Sequence, residues 1–513
     1  MNQKIALLID TISIQRYVFA GNRLKENIGA SRIVQEIYED TLSESVAGVL
    51  GHTVDFTNWR KEPEKIFIND PAVDFEVGYI GGGNALLLFK EEEQAKEVLE
   101  SWTRRLLVEA PGIRTAVALS PFDLYNFRVE LDRLFCQLTK NKNEFSPQTV
   151  LPKHGITMDC PLSGLSADVY HHEPDFNRYI SAVVKAKLDK AMEENLSPAI
   201  KAFLEPHYTF TNEINNLGQE KGESHIAVIH IDGNSLGEAF KSCQSLAEIR
   251  QLSVDVANIM ETALKEMITY ITSKIEYFEK PENGFQLRKK DGRIILPFRP
   301  LLLGGDDFTF VADGRLGIPL AKVFLCSLTG KKIKDKTRKL SACAGISITK
   351  TKYPFYHSYQ LAEELCKNAK KEARKNHGTS WLDFHLSYGG FSGSLESIRE
   401  KHYCLKDSRL NFGPYLVAPD NKENGKNINF LINGIKEFDN EMRWPRSKVK
   451  EMRMALTLGK ESATQFLSDM KSKNRQPLPL PNGTYEINGF ENGTTPYFDQ
   501  IELTGFYPEF LRE

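Results

Sequence analysis

A chain of 513 residues is longer than one hydrophobic core organises, since single cores stop growing near about 250–300 residues, so about three domains are expected. Its composition, 41% hydrophobic, 10% aromatic and 26% charged, sits at the globular average and excludes a wholly disordered or fibrous chain. The 66 Lys and Arg against 68 Asp and Glu leave a net charge of -2, which excludes the bulk positive charge of a histone-like nucleic-acid coat.

No apolar run approaches the roughly 20 residues of a bilayer-spanning helix. The N-terminus is apolar only from Ile5 to Ile9 before Asp10 intervenes, too short for a signal-peptide core, so a cytoplasmic chain without membrane contact is expected. Seven scattered cysteines with no CxxC pair predict reduced thiols and argue against a disulfide frame or a zinc ribbon.

Taken in chain order, Ile5-Ala6-Leu7-Leu8-Ile9-Asp10 reads as a buried strand ending in a carboxylate. Val77 to Phe89 reads as strand, turn and strand about Gly81-Gly82-Gly83-Asn84. A third strand is expected over Arg114 to Leu119, followed by a helix carrying Leu131, Leu134, Phe135 and Leu138. Residues 160–205 look helical, with Ile180, Val183, Val184, Leu188 and Met192 on one face, and Thr209 to Ser224 reads as a polar linker.

The pattern then repeats. Ile226 to Asp232 is again an apolar strand ending in Asp, and Leu301 to Phe310 is again strand, turn and strand, now about Gly304-Gly305-Asp306-Asp307. Seventy-three residues separate Asp10 from Gly83 and 74 separate Asp232 from Asp306. A strand over Leu340 to Ile348 and a helix with Leu361, Leu365 and Ala369 complete the second copy. Such long-period self-similarity predicts duplication. The fold expected is therefore α+β, two tandem domains of about 150 residues, each with an antiparallel hairpin covered by helices. After Gly390 come a loop-rich stretch and helices around Val449 to Leu467, while Pro477 to Pro496 is too rich in Pro, Asn and Gly for regular structure. The expected divisions are 1–155, a helical linker 156–222, 223–390, and a C-terminal helical domain 391–513.

The strongest chemical signal is the second turn. Gly304 and Gly305 permit a tight hairpin and leave room for phosphate to approach the backbone. Asp306 and Asp307 at the tip, with Asp232 at a neighbouring strand end, predict three carboxylates sharing two cations, because strands lie about 4.8 Å apart. Oxygen ligands without His or Cys select Mg2+ or Mn2+, and two such ions serve an in-line phosphoryl displacement. An ordinary Asp-rich turn is the alternative. Following Asp232, the run Gly233-Asn234-Ser235-Leu236-Gly237-Glu238 opens a helix, with Ser235 and Glu238 spaced as a capping box and backbone amides facing a triphosphate. Lys370, among the basic residues Lys367, Lys371, Arg374 and Lys375 of one helix, is the expected cation for the β- and γ-phosphates.

These residues resemble a known arrangement. The strand ending in Asp232, the GGDD turn and the Ala369-Lys370 helix resemble the ferredoxin-like palm domain shared by GGDEF cyclases and polymerases. Two tandem palms with GGDD only in the second resemble the large polymerase/cyclase subunit of type III CRISPR effector complexes. Ile14 to Phe19 and Asn22 to Ser31 look like that family's first palm, and Trp444 to Lys448 is similar to its terminal helical domain.

The resemblance implies synthesis of cyclic oligoadenylate messengers from ATP in antiviral defence, with Asp232, Asp306 and Asp307 as metal ligands. It implies that the first palm, with Gly82, Gly83 and Asn84 in place of the acidic turn, binds an acceptor nucleotide. Asp10 is then a lone acid for a ribose hydroxyl, a single ion or a local turn. Guide RNA and the other effector subunits are the implied partners, the chain being either one subunit of that complex or a stand-alone monomer with an internal pseudo-dimer. The chain departs from the family in two respects: it contains no His-Asp dipeptide of an HD nuclease, and Cys160 lacks a zinc-binding companion. A cyclic dinucleotide synthase and a silent nucleotide-binding scaffold remain the alternatives.

Overall fold

The structure, a computed structural model, describes residues 4–144, 155–173, 176–192, 198–219, 225–333, 339–387, 389, 393–418, 426–479 and 485–512. The first repeat opens with β1 (Lys4–Thr11), followed by α1 (Ile14–Phe19), α2 (Leu24–Glu36), α3 (Leu42–Leu50) and α4 (Asn58–Lys61). The hairpin β2 (Phe75–Gly81) and β3 (Asn84–Phe89), α5 (Glu92–Glu109), β4 (Thr115–Phe122) and α6 (Phe127–Glu144) complete it. Its four strands pair in the order β2-β3-β1-β4, with β1 antiparallel to both β3 and β4. This is the βαββαβ order of a ferredoxin-like fold. The apolar run of β1 is uninterrupted because the strand is central: Ala6, Leu7, Leu8 and Ile9 are fully buried.

Between the repeats lie the hairpin β5 (Val169–Glu173) and β6 (Phe176–Ile180), then α7 (Ala182–Met192), α8 (Pro198–Phe203) and β7 (Tyr208–Thr209). The expected helix over 160–205 is thus corrected: Ile180 ends a strand, and only from Ala182 does the chain turn helical with Val184 and Leu188 buried. Tyr170 and Tyr179, paired across the hairpin, are the β-favouring aromatic residues that override the helical spacing there. The end of the expected linker at Ser224 and the boundary at Gly390 lie outside the described residues.

The second repeat runs β8 (His225–Gly233), α9 (Leu236–Ser242), α10 (Leu246–Thr272), α11 (Ile275–Phe278), β9 (Lys289–Lys290), β10 (Arg293–Ile295), β11 (Phe298–Gly304), β12 (Asp307–Asp313), α12 (Gly317–Leu328), β13 (Ala342–Lys350), α13 (Phe355–Lys375) and β14 (Ser380–Leu386). Beyond it come α14 (Leu395–His402), β15 (Tyr415–Val417), α15 (Ile428–Asp439), α16 (Arg446–Thr457), α17 (Lys460–Lys471), α18 (Tyr485–Asn488) and α19 (Tyr497–Glu502). The one-turn α18 interrupts the Pro-rich stretch expected to be irregular. The main sheet has the order β11-β12-β8-β13-β14-β15. Its first four strands reproduce the first repeat, and β14, parallel to β13, and β15 extend it. The chain therefore carries tandem palm-like sheets with helices, as the repeat predicted.

Packing divides the chain into two compact units. One comprises Met1–Ser197, Ser235–Met260 and Leu301–Asp307; the other comprises Pro198–Asn234, Glu261–Pro300 and Phe308–Glu513. Among the described residues, no helix is long and apolar enough to cross a membrane.

Candidate active site

Each palm repeat places an Asp one residue before the end of its central strand and a Gly-rich turn at the start of the neighbouring strand. In the first repeat Asp10 stands opposite Asn84 in the β1–β3 register. In the second, β8 and β12 are sheet neighbours, and His230 Nδ1 lies 3.2 Å from Thr309 Oγ1. Asp232 follows His230 by two residues on β8. Gly82 and Gly305 adopt matching left-handed conformations, φ +59° and +62°, as a tight hairpin demands. A Cβ on Gly305 would stand 3.5 Å from the backbone N and Cα of Gly82, both residues of the first unit. Nothing lies within 4 Å of a Cβ built on Gly82, Gly237 or Gly304, so these backbones stand open to a ligand.

The acids are already engaged. Lys370 on α13 donates from Nζ to Gly233 O at 2.9 Å and lies 2.6 Å from Asp232 Oδ2. It therefore meets the strand-end carboxylate that sequence reasoning had assigned to metal. The first repeat holds the same device: Lys142 on α6, the helix after β4, lies 2.6 Å from Asp10 Oδ2. Asp10 is thus an ion-pair partner. Asp307 Oδ2 accepts a hydrogen bond from Gln15 Nε2 on α1 at 3.0 Å. Burial pushes the Cys343 thiol, opposite Asp232 on β13, up to about 11, which keeps it protonated beside that acid.

Two expectations are corrected here. Ser235 does not form a capping box: it sits left-handed at φ 58° with no side-chain cap bond. Ser13, three residues beyond Asp10 as Ser235 is beyond Asp232, shows the same conformation at φ 55°. The turn geometry, common to both repeats, fixes the serine and leaves its hydroxyl off the helix amides. Asn234 does not point to a ligand either, since its Nδ2 donates to Ser341 Oγ at 3.0 Å and Thr379 O at 3.2 Å, tying the end of β8 to its own sheet. Leu236 is buried, so it can offer only backbone to a ligand.

Among the described residues, no three His, Cys, Asp or Glu side chains are gathered to hold a metal ion. Carboxylates crowded together without a cation repel one another, and here Asp232 turns to an ammonium and Asp307 to an amide. The donor chemistry nevertheless fits a hard divalent cation, because all three side chains offer oxygen. The Lys370 ammonium against Asp232 shows that positive charge is accommodated there.

Sequence reasoning missed Gln15, Lys142 and Tyr38. The Tyr38 hydroxyl donates to Gly83 O at 2.6 Å and lies 2.7 Å from Thr11 Oγ1, pinning the first turn; burial raises its pKa. The parallel position of Lys142 and Lys370, on the helices after β4 and β13, was a readable signal once the repeat was aligned.

Residues 225–379 match the family model of Cas10/Cmr2, second palm domain, so this stretch is Cas10-like. Among solved structures, the Csm1-Csm4 cassette in complex with one ATP aligns with a TM-score of 0.52 at 14% identity, covering 98% of this chain and 70% of that one. The Csm1-Csm4 subcomplex in the type III-A CRISPR-Csm interference complex aligns with a TM-score of 0.50 at 14% identity, with the same coverage of 98% and 70%. At this identity the likeness establishes the fold. No curated protein matches the chain.

Proposed function

We propose that the chain is a nucleotidyltransferase that joins ATP into cyclic oligoadenylate in a type III CRISPR-like antiviral response. The observation that carries this reading is the Gly304-Gly305-Asp306-Asp307 turn, which lies, like Asp232, inside the stretch that matches a Cas10/Cmr2 second palm. The ATP in the aligned Csm1-Csm4 cassette supports adenine nucleotide as substrate.

In the proposed step a ribose 3′-hydroxyl gives up its proton to water as its oxygen forms a bond to an α-phosphorus, the bond from that phosphorus to the β-phosphate oxygen breaks, and pyrophosphate leaves. Asp232, Asp306 and Asp307 would hold Mg2+ or Mn2+, which supplies neutralisation of the phosphate charge and activation of the attacking hydroxyl. Lys370 gives up Asp232 and takes the β- and γ-phosphates, a charge-assisted contact its flexible stem can reach. Gly304, Gly305 and Gly237 admit phosphate close to the backbone. The first repeat orients an acceptor nucleotide through the Gly82-Gly83-Asn84 turn, and such orientation alone can supply roughly 7–11 kcal/mol of barrier reduction. The remaining proposals are a cytoplasmic site of action and, as partners, guide RNA and further effector subunits.

Incubating the protein with Mn2+ and each labelled nucleoside triphosphate, then resolving products by mass spectrometry, tests the reading. Cyclic products of three or more adenylates are expected; a cyclic dinucleotide would replace the product assignment, and no condensation with any nucleotide, alone or with guide RNA and effector subunits, would overturn the activity.

A further inference from the structure

We propose that Gln15 is a positioning residue for Asp307, so that the acidic turn depends on a helix of the first repeat; this rests on the function proposed above. Gln15 Nε2 donates to Asp307 Oδ2 at 3.0 Å, across 292 residues of sequence, and both residues belong to the first compact unit. An amide donor suits this task. It fixes one carboxylate oxygen by a hydrogen bond and carries no charge to compete with a cation. Lys370 does the opposite at Asp232, since its ammonium sits where a cation would bind.

The helix bearing Gln15 is held at both ends. On one side Ile14 packs into the space above Gly83, where a Cβ would stand 1.9 Å from Ile14 Cδ1. The turn beneath is fixed in turn by Thr11 N and Tyr38 Oη, which donate to Gly83 O at 2.8 and 2.6 Å. At the far end Lys187, almost fully buried on α7, donates from Nζ to Tyr17 O at 2.6 Å. Gln15 is therefore presented from a clamped turn of helix, the arrangement by which an outer residue orients a metal ligand.

The repeat shows that this contact is specific. Gln15 lies five residues beyond Asp10, and the residue five beyond Asp232 is Gly237, with open space around it. The second repeat cannot return the contact. The donor thus serves the one turn that carries carboxylates.

The test compares the full-length wild type with Gln15→Leu, Gln15→Asn and Asp307→Asn, following Mn2+ binding by electron paramagnetic resonance and turnover of ATP separately. Gln15→Leu keeps the volume and removes the donor. It should weaken Mn2+ binding and lower kcat by about tenfold or more, the usual loss when an outer-shell partner of a ligand is removed, with the unfolding temperature unchanged and KM for ATP little moved. Gln15→Asn, too short to reach, should behave like Leu, whereas a structural role would leave the metal affinity of both at the wild-type value. Wild-type Mn2+ affinity and kcat in Gln15→Leu would overturn the assignment. If the wild type binds Mn2+ through Asp307 but makes no product, the proposed activity falls while the metal arm still decides on Gln15. Mn2+ binding indifferent to Asp307→Asn would sink both.

Discussion

The two Asp–Lys pairs are chemically alike, yet they should answer differently to mutation. Asp232 and Lys370 keep 37% and 20% of their side-chain surface exposed, and Asp10 and Lys142 keep 19% and 33%. Partly solvated pairs of this kind contribute less than about 1 kcal/mol to stability. Removing either lysine should therefore leave urea midpoints nearly unchanged. Turnover should split them. Lys370→Met removes a proposed phosphate contact, and hydrogen bonds to charged groups contribute about 1.5–3 kcal/mol, so steady-state assays with labelled ATP should show a fall of about tenfold or more. Lys142→Met lies beside a turn without carboxylates and should cost no more than about threefold, on the same scale. Equal losses in both would place the phosphate contacts in both repeats. The acidic pair gives the sharper comparison: Asp306→Asn with Asp307→Asn should abolish product while the fold survives, since both residues are half-buried at a hairpin turn, where Asn is as well accepted as Asp. Half of the wild-type turnover in that double variant would refute the metal assignment.

At the scale of elements, what could be read from the chain was what local pattern dictates. The buried apolar runs at Ala6–Ile9 and Ile226–Ile229 and the two Gly-Gly turns announced both central strands and both hairpins, because a central strand is largely apolar and a tight turn requires glycine. The contacts that complete the site were not legible in this way. Gln15 reaches Asp307 across 292 residues, and Lys142 was one of several exposed-looking lysines until the fold aligned α6 with α13. Arg250 is another such case. On α10 it is fully buried and donates to Glu76 Oε1 at 2.7 Å, Gly78 O at 2.7 Å and Lys65 O at 2.8 Å. It fastens the start of α10 to β2 within the first unit. Breaking a buried pair leaves its partner charge uncompensated and costs about 3–5 kcal/mol. Arg250→Met should destabilise the first unit by that amount, read as an early denaturant transition; a loss below about 1 kcal/mol would show that water replaces the arginine.

On the scale of the whole molecule, the C-terminal segment packs into the same unit as β8 and β13–β15, and a buried polar network joins it to the sheet. Asp383 on β14 accepts from Arg399 at 2.8 Å, Asp499 on α19 accepts from Tyr415 on β15 at 2.7 Å, and Glu502 on α19 accepts from Tyr403 at 3.1 Å. Burial pushes Asp499 up to about 6 and Glu502 up to about 7, so both favour the folded state more as pH falls. His385, on β14 amid this network, moves the other way. Burial first, then the positive charge of Arg399, depresses its pKa to about 4, against the opposing pull of Asp383. The unfolded imidazole takes a proton near pH 6.5 and the folded one does not until about pH 4. The stability that neutral His385 permits is therefore present above pH 6.5 and lost as pH falls towards 4. The wild-type curve mixes these opposing effects; the difference between wild type and His385→Asn isolates the histidine. Urea unfolding of both at pH 7.5 and pH 5 should show the cost of the substitution shrinking by about 2 kcal/mol at the lower pH, from 1.36 kcal/mol for each pKa unit that separates the two states. A difference that stays constant between the two pH values would mean that the imidazole takes up its proton as readily in the folded chain as in the unfolded one, and that burial against the C-terminal segment does not hold it neutral.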